Sequence, residues 1–234
     1  MTIEILYPEL TNIFGDSANV SYLEKCMKDT KFIYTPINKE PFFVKHKVDM
    51  IYLGSMSEQY QSVIIEKLSK YKNILKKRIE EEVIVLFTGM AIEIIGNYIE
   101  EDNKKIDCLG LFDVYFERDK KKRHNSLFIG EFNDMKIVGN KSQFTFMYGN
   151  NKYPFIKACK GCIGMNPDII YDGIHYKNFF ATSLLGPILI LNPFFTSYLI
   201  KLKNKNFKLA YQEDLIESYN RRIKLLENRS SYIL

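Results

Sequence analysis

Apolar and polar positions come in short alternating blocks through the first half of the chain. Ile3–Leu6 and Lys31–Tyr34 are brief β-type runs, and the opening stretch Met1–Tyr7 alternates like a strand instead of showing the long apolar core of an export signal. Between them, Ala18–Lys28 carries a helical pattern that Asp16 or Ser17 is placed to cap. Val48–Leu53 is apolar except for Asp49, and Val83–Phe87 is apolar throughout, so both predict strands buried on two faces. Glu58–Glu82 is charged, with Val63, Ile64, Leu68, Tyr71, Leu75 and Ile79 at spacings of three and four, which predicts one long helix. Ala91–Ile99 predicts another. This β-α-β-α order implies a parallel sheet covered by helices on both faces.

The second half changes character. Leu111–Phe116, Ser126–Ile129 and Met135–Val138 read as antiparallel strands joined by polar turns. Phe179–Leu184 resumes the buried-strand pattern, and Leu215–Glu227 closes the chain as an amphipathic helix. Repeats and low-complexity linkers are absent from the sequence. With 234 residues, 46% of them hydrophobic, the chain can bury one sizeable core, and a single domain over 1–234 is expected. The uncharged stretch Phe179–Phe195 contains Gly186, Pro187 and Pro193, which fit a buried strand and loop better than a membrane helix.

Charge narrows the function classes little. The formal net charge is +5, with Lys and Glu interspersed. The densest run, Lys120, Lys121, Lys122 and Arg123, is that of a solvated loop, and no nucleic-acid partner is expected. Cys26, Cys108, Cys159 and Cys162 are expected to be free thiols in a reducing cytosol, hence a cytoplasmic protein. Cys159-Lys-Gly-Cys162 is a lone CxxC. Zinc would require a second pair of ligands, which His46, His124 and His175 do not offer by their positions, so neither a metal nor another cofactor is expected.

Several segments together carry a family likeness. They are Gly15-Asp-Ser-Ala-Asn19, Ile51-Tyr-Leu-Gly-Ser-Met-Ser-Glu-Gln-Tyr-Gln61, Val83-Ile-Val-Leu-Phe-Thr-Gly-Met-Ala-Ile-Glu-Ile-Ile-Gly96, Leu109-Gly-Leu-Phe-Asp113, Gly173-Ile-His-Tyr-Lys-Asn178 and Thr182-Ser-Leu-Leu-Gly-Pro-Ile-Leu189. In order and spacing, from about residue 10 to about residue 200, the chain resembles the cobyric-acid-synthase branch of class I glutamine amidotransferases. Within that branch the likeness points to the glutaminase subunits of lipid II isoglutaminyl synthases. The resemblance implies a three-layer α/β, flavodoxin-like fold: a mainly parallel central sheet with helices on both faces and an antiparallel extension. It also implies a Mur-ligase-like or other synthetase partner that receives ammonia from glutamine.

In that family a Cys on a tight strand-to-helix turn attacks the glutamine amide, helped by a His on a later strand end. The helix N-terminus and nearby backbone N–H groups favour the thiolate and the oxyanion. Aligned on Gly96, the nucleophile position here is Gly89. The base position, before Gly186-Pro187, is Leu185. A Glu-x-His segment after a Val-Gly pair becomes Lys141-Ser-Gln143 after Val138-Gly139, and a glycine-rich turn becomes Gly54-Ser-Met56. Loss of one member of a cooperating nucleophile–base pair can cost on the order of a million-fold in rate. With both replaced, the family's route is not expected to operate. Glycine also relieves the strain of about 1–3 kcal/mol that a non-glycine residue stores at such a turn.

Other residues invite sharper readings. A one-residue shift would make Thr88 a threonine nucleophile, but a hydroxyl needs an adjacent base, which Leu185 cannot be. Glu93, one helical turn past Gly89, fits either a ligand-orienting carboxylate or a helix-dipole partner. His175 reads as a packed structural histidine and Cys108 as a small core residue. Gly54, Ser55, Thr88, Gly89, Met90, Glu93 and Gln143 remain candidates to line a small polar ligand site beyond the strand ends. Three functions follow: a non-catalytic subunit that docks on a ligase-like partner, which is favoured; a free-standing module that binds a small molecule or muropeptide; and an enzyme whose site is rebuilt from Thr88, Glu93 or a cysteine from another loop.

Overall fold

A computed structural model describes residues 1–229 and 231–234. Its first half contains β1 (Thr2–Leu6), α1 (Ser17–Cys26), β2 (Lys31–Thr35), β3 (Met50–Leu53), α2 (Glu58–Ser69), α3 (Lys72–Glu80) and β4 (Ile84–Thr88). There follow β5 (Tyr98–Glu101), β6 (Lys104–Asp107), β7 (Val114–Arg118), β8 (His124–Phe132), β9 (Met135–Gln143), β10 (Thr145–Gly149), β11 (Pro154–Ala158), β12 (Tyr171–Tyr176) and β13 (Phe179–Thr182). The chain closes with α4 (Ile188–Leu191), α5 (Pro193–Lys201) and α6 (Gln212–Glu227).

The central sheet runs β2-β1-β3-β4-β13-β12-β11-β8-β9. From β2 to β13 the strands are parallel, and from β12 outward they pair antiparallel. The period-two alternation of each strand sorts its side chains into two cores. Ile51, Leu53, Val85 and Phe87 face Ile64, Leu68, Leu75 and Ile79 of α2 and α3. Met50, Tyr52, Ile84 and Leu86 face Val20 and Leu23 of α1 and Ile188, Leu189 and Leu199 of α4 and α5. Each fully buried Leu or Ile of this kind contributes about 1.5–3 kcal/mol relative to exposure. The expected three-layer α/β architecture with an antiparallel extension is therefore present.

Three expectations are corrected. The single helix over Glu58–Glu82 is two, broken around Tyr71, whose backbone leaves the helical region at φ −116° and ψ 9°. Neither Gly nor Pro marks the break. Tertiary packing sets it: α3 docks on the turn at Phe42–Val44, where Arg78 Nε and Nη2 donate to the Phe43 carbonyl (3.0 and 2.8 Å). Ala91–Ile99 is not an α-helix. Gly89–Ile95 forms a tight 3-10 segment buried at every residue, and Tyr98–Glu101 is already β5. A segment buried on all sides carries no amphipathic period, so periodicity could not tell the two forms apart.

The third correction enlarges the antiparallel part. β8 and β9 are each nine residues long and meet at Asn133-Asp134, both at positive φ (47° and 60°), as a tight hairpin turn requires. A second sheet, in the order β10-β7-β5-β6, packs Ile99, Phe116 and Met147 against the main core, directly below the 3-10 segment. No helix among the described residues is long and apolar enough to cross a membrane.

Candidate functional site

β3 and β4 end side by side, Leu53 level with Phe87, and their following turns form the rim where ligands sit in sheets of this type. Gly89 begins the turn after β4 at φ +55°, a region that L side chains enter only with strain. A Cβ built there would lie 2.6 Å from Leu185 Cδ2 and 2.7 Å from Ser55 Cβ, and closer still to Ser55 Oγ. Carbon contacts normally settle near 3.5–4.0 Å. The space beside the turn is therefore already filled, by the Leu185 side chain from one side and by Ser55 from the other. Leu185 is buried and held by its N–H, which donates to the Asn140 carbonyl (2.8 Å). The Met90 N–H, one of the turn's free donors, is directed at Ser55 Oγ (3.3 Å).

The cavity left among Gly89, Met90, Glu93, Gln143, Ser183 and Leu185 measures about 10 Å³. That is the size of a single water, whereas small-molecule pockets run to roughly 300–1,000 Å³. Gln143 donates from Nε2 to the Thr145 carbonyl (2.7 Å), and its buried Oε1 has no hydrogen-bond partner among the described residues.

Below the rim lies a polar cluster built on Asp16. Its side chain does not cap α1 but turns inward. Oδ2 accepts from Thr88 Oγ1 (2.6 Å) and from the Ser55 N–H (2.5 Å), while Oδ1 accepts from Asn19 Nδ2 (2.8 Å). Asn19 also donates to Tyr52 Oη (3.0 Å) and accepts from the Leu189 N–H (2.8 Å). The Gly15–Asn19 motif thus ties α1, the turns after β3 and β4, and α4 together. Burial raises the Asp16 carboxyl above its ordinary range, partly offset by these donors. Gly54 belongs to the same knot. A Cβ on it would press on the Thr11 carbonyl and come within 2.7 Å of Asp16 Oδ2. Thr88 is committed to Asp16 and Tyr52, and no histidine or lysine is among its hydrogen-bond partners.

Glu93 borders this small cavity, but its carboxylate is already engaged. Its Oε2 accepts from Arg118 Nη2 (2.6 Å) and Gln61 Nε2 (3.0 Å), and the Arg118–Glu93 pair is almost wholly buried. Arg118 also reaches Glu101 (2.9 Å) and Thr145 Oγ1 (3.2 Å), and it bonds Gln61 Oε1. Gln61 Nε2 in turn holds the Met90 carbonyl (3.1 Å). Burial lifts the Glu93 carboxyl above its usual range despite the guanidinium beside it. This network pins the 3-10 segment to α2 and β7.

Lys141 and Asp172 form a second buried pair, 2.7 Å apart and fully enclosed. Lys141 Nζ also donates to the Gly164 carbonyl (2.5 Å). Asp172 takes Thr182 Oγ1 (2.5 Å) and the Ser183 N–H (3.3 Å) on Oδ2, and the Ser183 hydroxyl on Oδ1. The Lys141-Ser-Gln143 segment therefore joins β9, β12 and the end of β13 beneath Leu185.

The remaining candidates lie elsewhere. His175 stacks on Phe180 (4.5 Å, 13°) and meets Phe132 edge-on, and burial lowers its pKa. Burial pushes the Cys108 thiol up to about 12, which leaves it protonated and inert. Cys159 and Cys162 pack with Ile129, Val138, Tyr219 and Tyr232 and do not line the Gly89 cavity. Among the described residues no three His, Cys, Asp or Glu side chains gather as metal ligands. Sequence reasoning missed Asp16 as more than a cap, and it missed Arg118 and Asp172. For Arg118 and Asp172 the signal was a charged residue on the inward phase of a strand; Asp16 also lay in the Gly15–Asn19 family segment.

Comparison with known proteins agrees with the fold. The CobB/CobQ-like glutamine amidotransferase domain model matches residues 2–189. The chain is 27% identical over 204 residues to the lipid II isoglutaminyl synthase (glutamine-hydrolyzing) subunit GatD of Staphylococcus aureus, covering 86% of this chain and 83% of that protein. It is 26% identical over 232 residues to the corresponding GatD of Streptococcus pneumoniae, covering 92% and 87%. A crystal structure of a glutamine amidotransferase superposes with a TM-score of 0.53 at 12% identity, over 85% of this chain and 97% of that one, a likeness of fold. The chain belongs to the CobB/CobQ-like glutamine amidotransferase domain family.

Proposed function

We propose that this chain is a non-catalytic glutaminase-type subunit that supports an amide-forming synthetase, in the manner of the lipid II isoglutaminyl synthase subunits it resembles. The observation that carries this reading is the filled turn: Leu185 and Ser55 occupy the volume that a side chain at Gly89 would need. A nucleophile requires a side chain there and a base within hydrogen-bond reach, and leucine offers no proton acceptor. The cavity of about 10 Å³ beside it supports the same reading, because a glutamine side chain does not fit. The networks around Asp16, Glu93–Arg118 and Lys141–Asp172 keep the scaffold rigid without serving chemistry.

The partner is a Mur-ligase-like or similar ATP-dependent synthetase, and the pathway is amidation of a cell-wall precursor. Co-expression with a Mur-ligase-like synthetase tests this directly. Stable co-purification, with amide synthesis by the partner that responds to this chain when free ammonia is the nitrogen source, is the expected result. A partner that neither binds the chain nor changes its activity contradicts the proposal.

A further inference from the structure

A cavity of about 440 Å³ opens at the opposite end of the sheet, beside the starts of β4 and β13. This volume lies in the ordinary range for small-molecule sites. Its walls come from the end of α3, from the Leu109-Gly-Leu-Phe-Asp113 segment, from the loop between β10 and β11, and from Tyr176 at the end of β12. Nothing in the glutaminase-type site uses these residues.

Three rings line the cavity. Tyr153 and Tyr176 stand 4.6 Å apart at 52°, and Phe112 meets them edge-on at 6.2 and 6.4 Å. Phe112 is itself braced by Phe179 (4.9 Å), so this side is anchored to the core, while Tyr153 remains 40% exposed. The charges sort by whether they are already answered. Glu80 is paired with Lys177 at 2.7 Å. Lys76 and Lys152 are exposed and have no carboxylate within ion-pair distance among the described residues. Among the described residues, the Asp113 carboxylate accepts only from the Asn97 amide (3.2 Å). Asn150, whose N–H is fixed to the Asp113 carbonyl (3.0 Å), brings an amide that can both donate and accept.

An aromatic wall, unanswered ammonium groups and a neighbouring carboxylate and amide match a ligand with a flat ring, an anionic group and hydroxyl or N–H donors between them. We propose that this cavity binds a nucleoside monophosphate. The base lies against Tyr153, Tyr176 and Phe112, where any base offers a π face. The phosphate sits between Lys76 and Lys152. Asp113 and Asn150 take the sugar hydroxyls and the base edge. The site is independent of the Gly89 turn and stands whether or not that turn is catalytic.

Titration calorimetry of the full chain with AMP, GMP, CMP and UMP, beside adenosine and inorganic phosphate, tests this. At least one nucleotide is expected to bind more tightly than about 1 mM, with adenosine and phosphate each weaker by roughly tenfold or more. K76A/K152A and Y153A, all exposed positions, are expected to weaken that nucleotide by roughly tenfold while leaving Tm close to that of the natural chain. Failure of all the nucleotides to bind by about 1 mM, or binding that these variants leave unchanged, overturns the proposal.

Discussion

Leu185 Cδ2 lies within 2.6 Å of the point where a Cβ on Gly89 would stand. The two positions that the resemblance aligns with nucleophile and base are thus neighbours, and their relationship is one of packing. Glycine at φ +55° makes room for leucine, and leucine fills the room that glycine leaves. The first prediction follows. G89A adds a strained backbone, about 1–2 kcal/mol, and a clash with Ser55 and Leu185, about 1–3 kcal/mol more. L185A removes a buried side chain and costs about 2–5 kcal/mol. Because L185A clears part of the space that G89A needs, urea unfolding of the double variant is expected to show a loss smaller than the sum by about 0.5–3 kcal/mol.

The Lys141–Asp172 pair gives a second prediction. Both groups are fully buried, so removing one leaves the other without its countercharge. K141M is expected to cost about 3–5 kcal/mol in urea unfolding. K141M/D172N, which removes the stranded charge, is expected to recover part of that loss. A double variant no more stable than K141M alone would show that shape, not charge, dominates there.

A third prediction concerns pH. Burial raises the Asp16 carboxyl above its unfolded value of 3.8, so across the window between the two values the native state holds the proton more tightly. Stability from this group is fully present below the unfolded pKa and is lost as pH rises toward the folded one. D16N removes that slope. Measured by urea unfolding from about pH 4 to about pH 7, the natural chain is expected to lose ground to D16N steadily as pH rises. A difference that stays constant, or grows in favour of the natural chain, contradicts the burial argument.

The Glu93–Arg118 pair predicts a local effect. Glu93 and Gln61 together hold Arg118 and the Met90 carbonyl, so E93A should loosen the 3-10 segment as well as destabilise the fold. Breaking a buried pair costs about 3–5 kcal/mol. Hydrogen exchange is expected to speed up at Gly89–Ile95 more than at β3 or β4. E93Q, which keeps one acceptor for Arg118, is expected to retain part of the protection.

What the sequence made legible follows from where its signals are one-dimensional. Val83–Phe87 and Val48–Leu53 announced buried parallel strands, because continuous apolar runs between turn signals have few other uses. The turns at Gly54 and Gly89 could be placed from the family resemblance, and the structure sets them beside each other. Glu93 could not be assigned, because the sequence does not reveal that Arg118, which lies 25 positions on, returns beneath it. Asp16 read as a cap because a local rule fits it, while its actual partners, Ser55 and Thr88, come from other strand ends. The break at Tyr71 and the 3-10 winding of Gly89–Ile95 are set by tertiary contacts, to which helical periodicity is blind.

The central question is whether chemistry survives at a turn occupied by Gly89, Ser55 and Leu185. The direct measurement is ammonia release from glutamine by the natural chain, alone and with a co-expressed Mur-ligase-like synthetase. Release no faster than the uncatalysed background in both cases is the predicted result. Release above background with Gly89 and Leu185 in place would contradict the account, and would mean that glutamine finds a nucleophile and a base outside the family's positions.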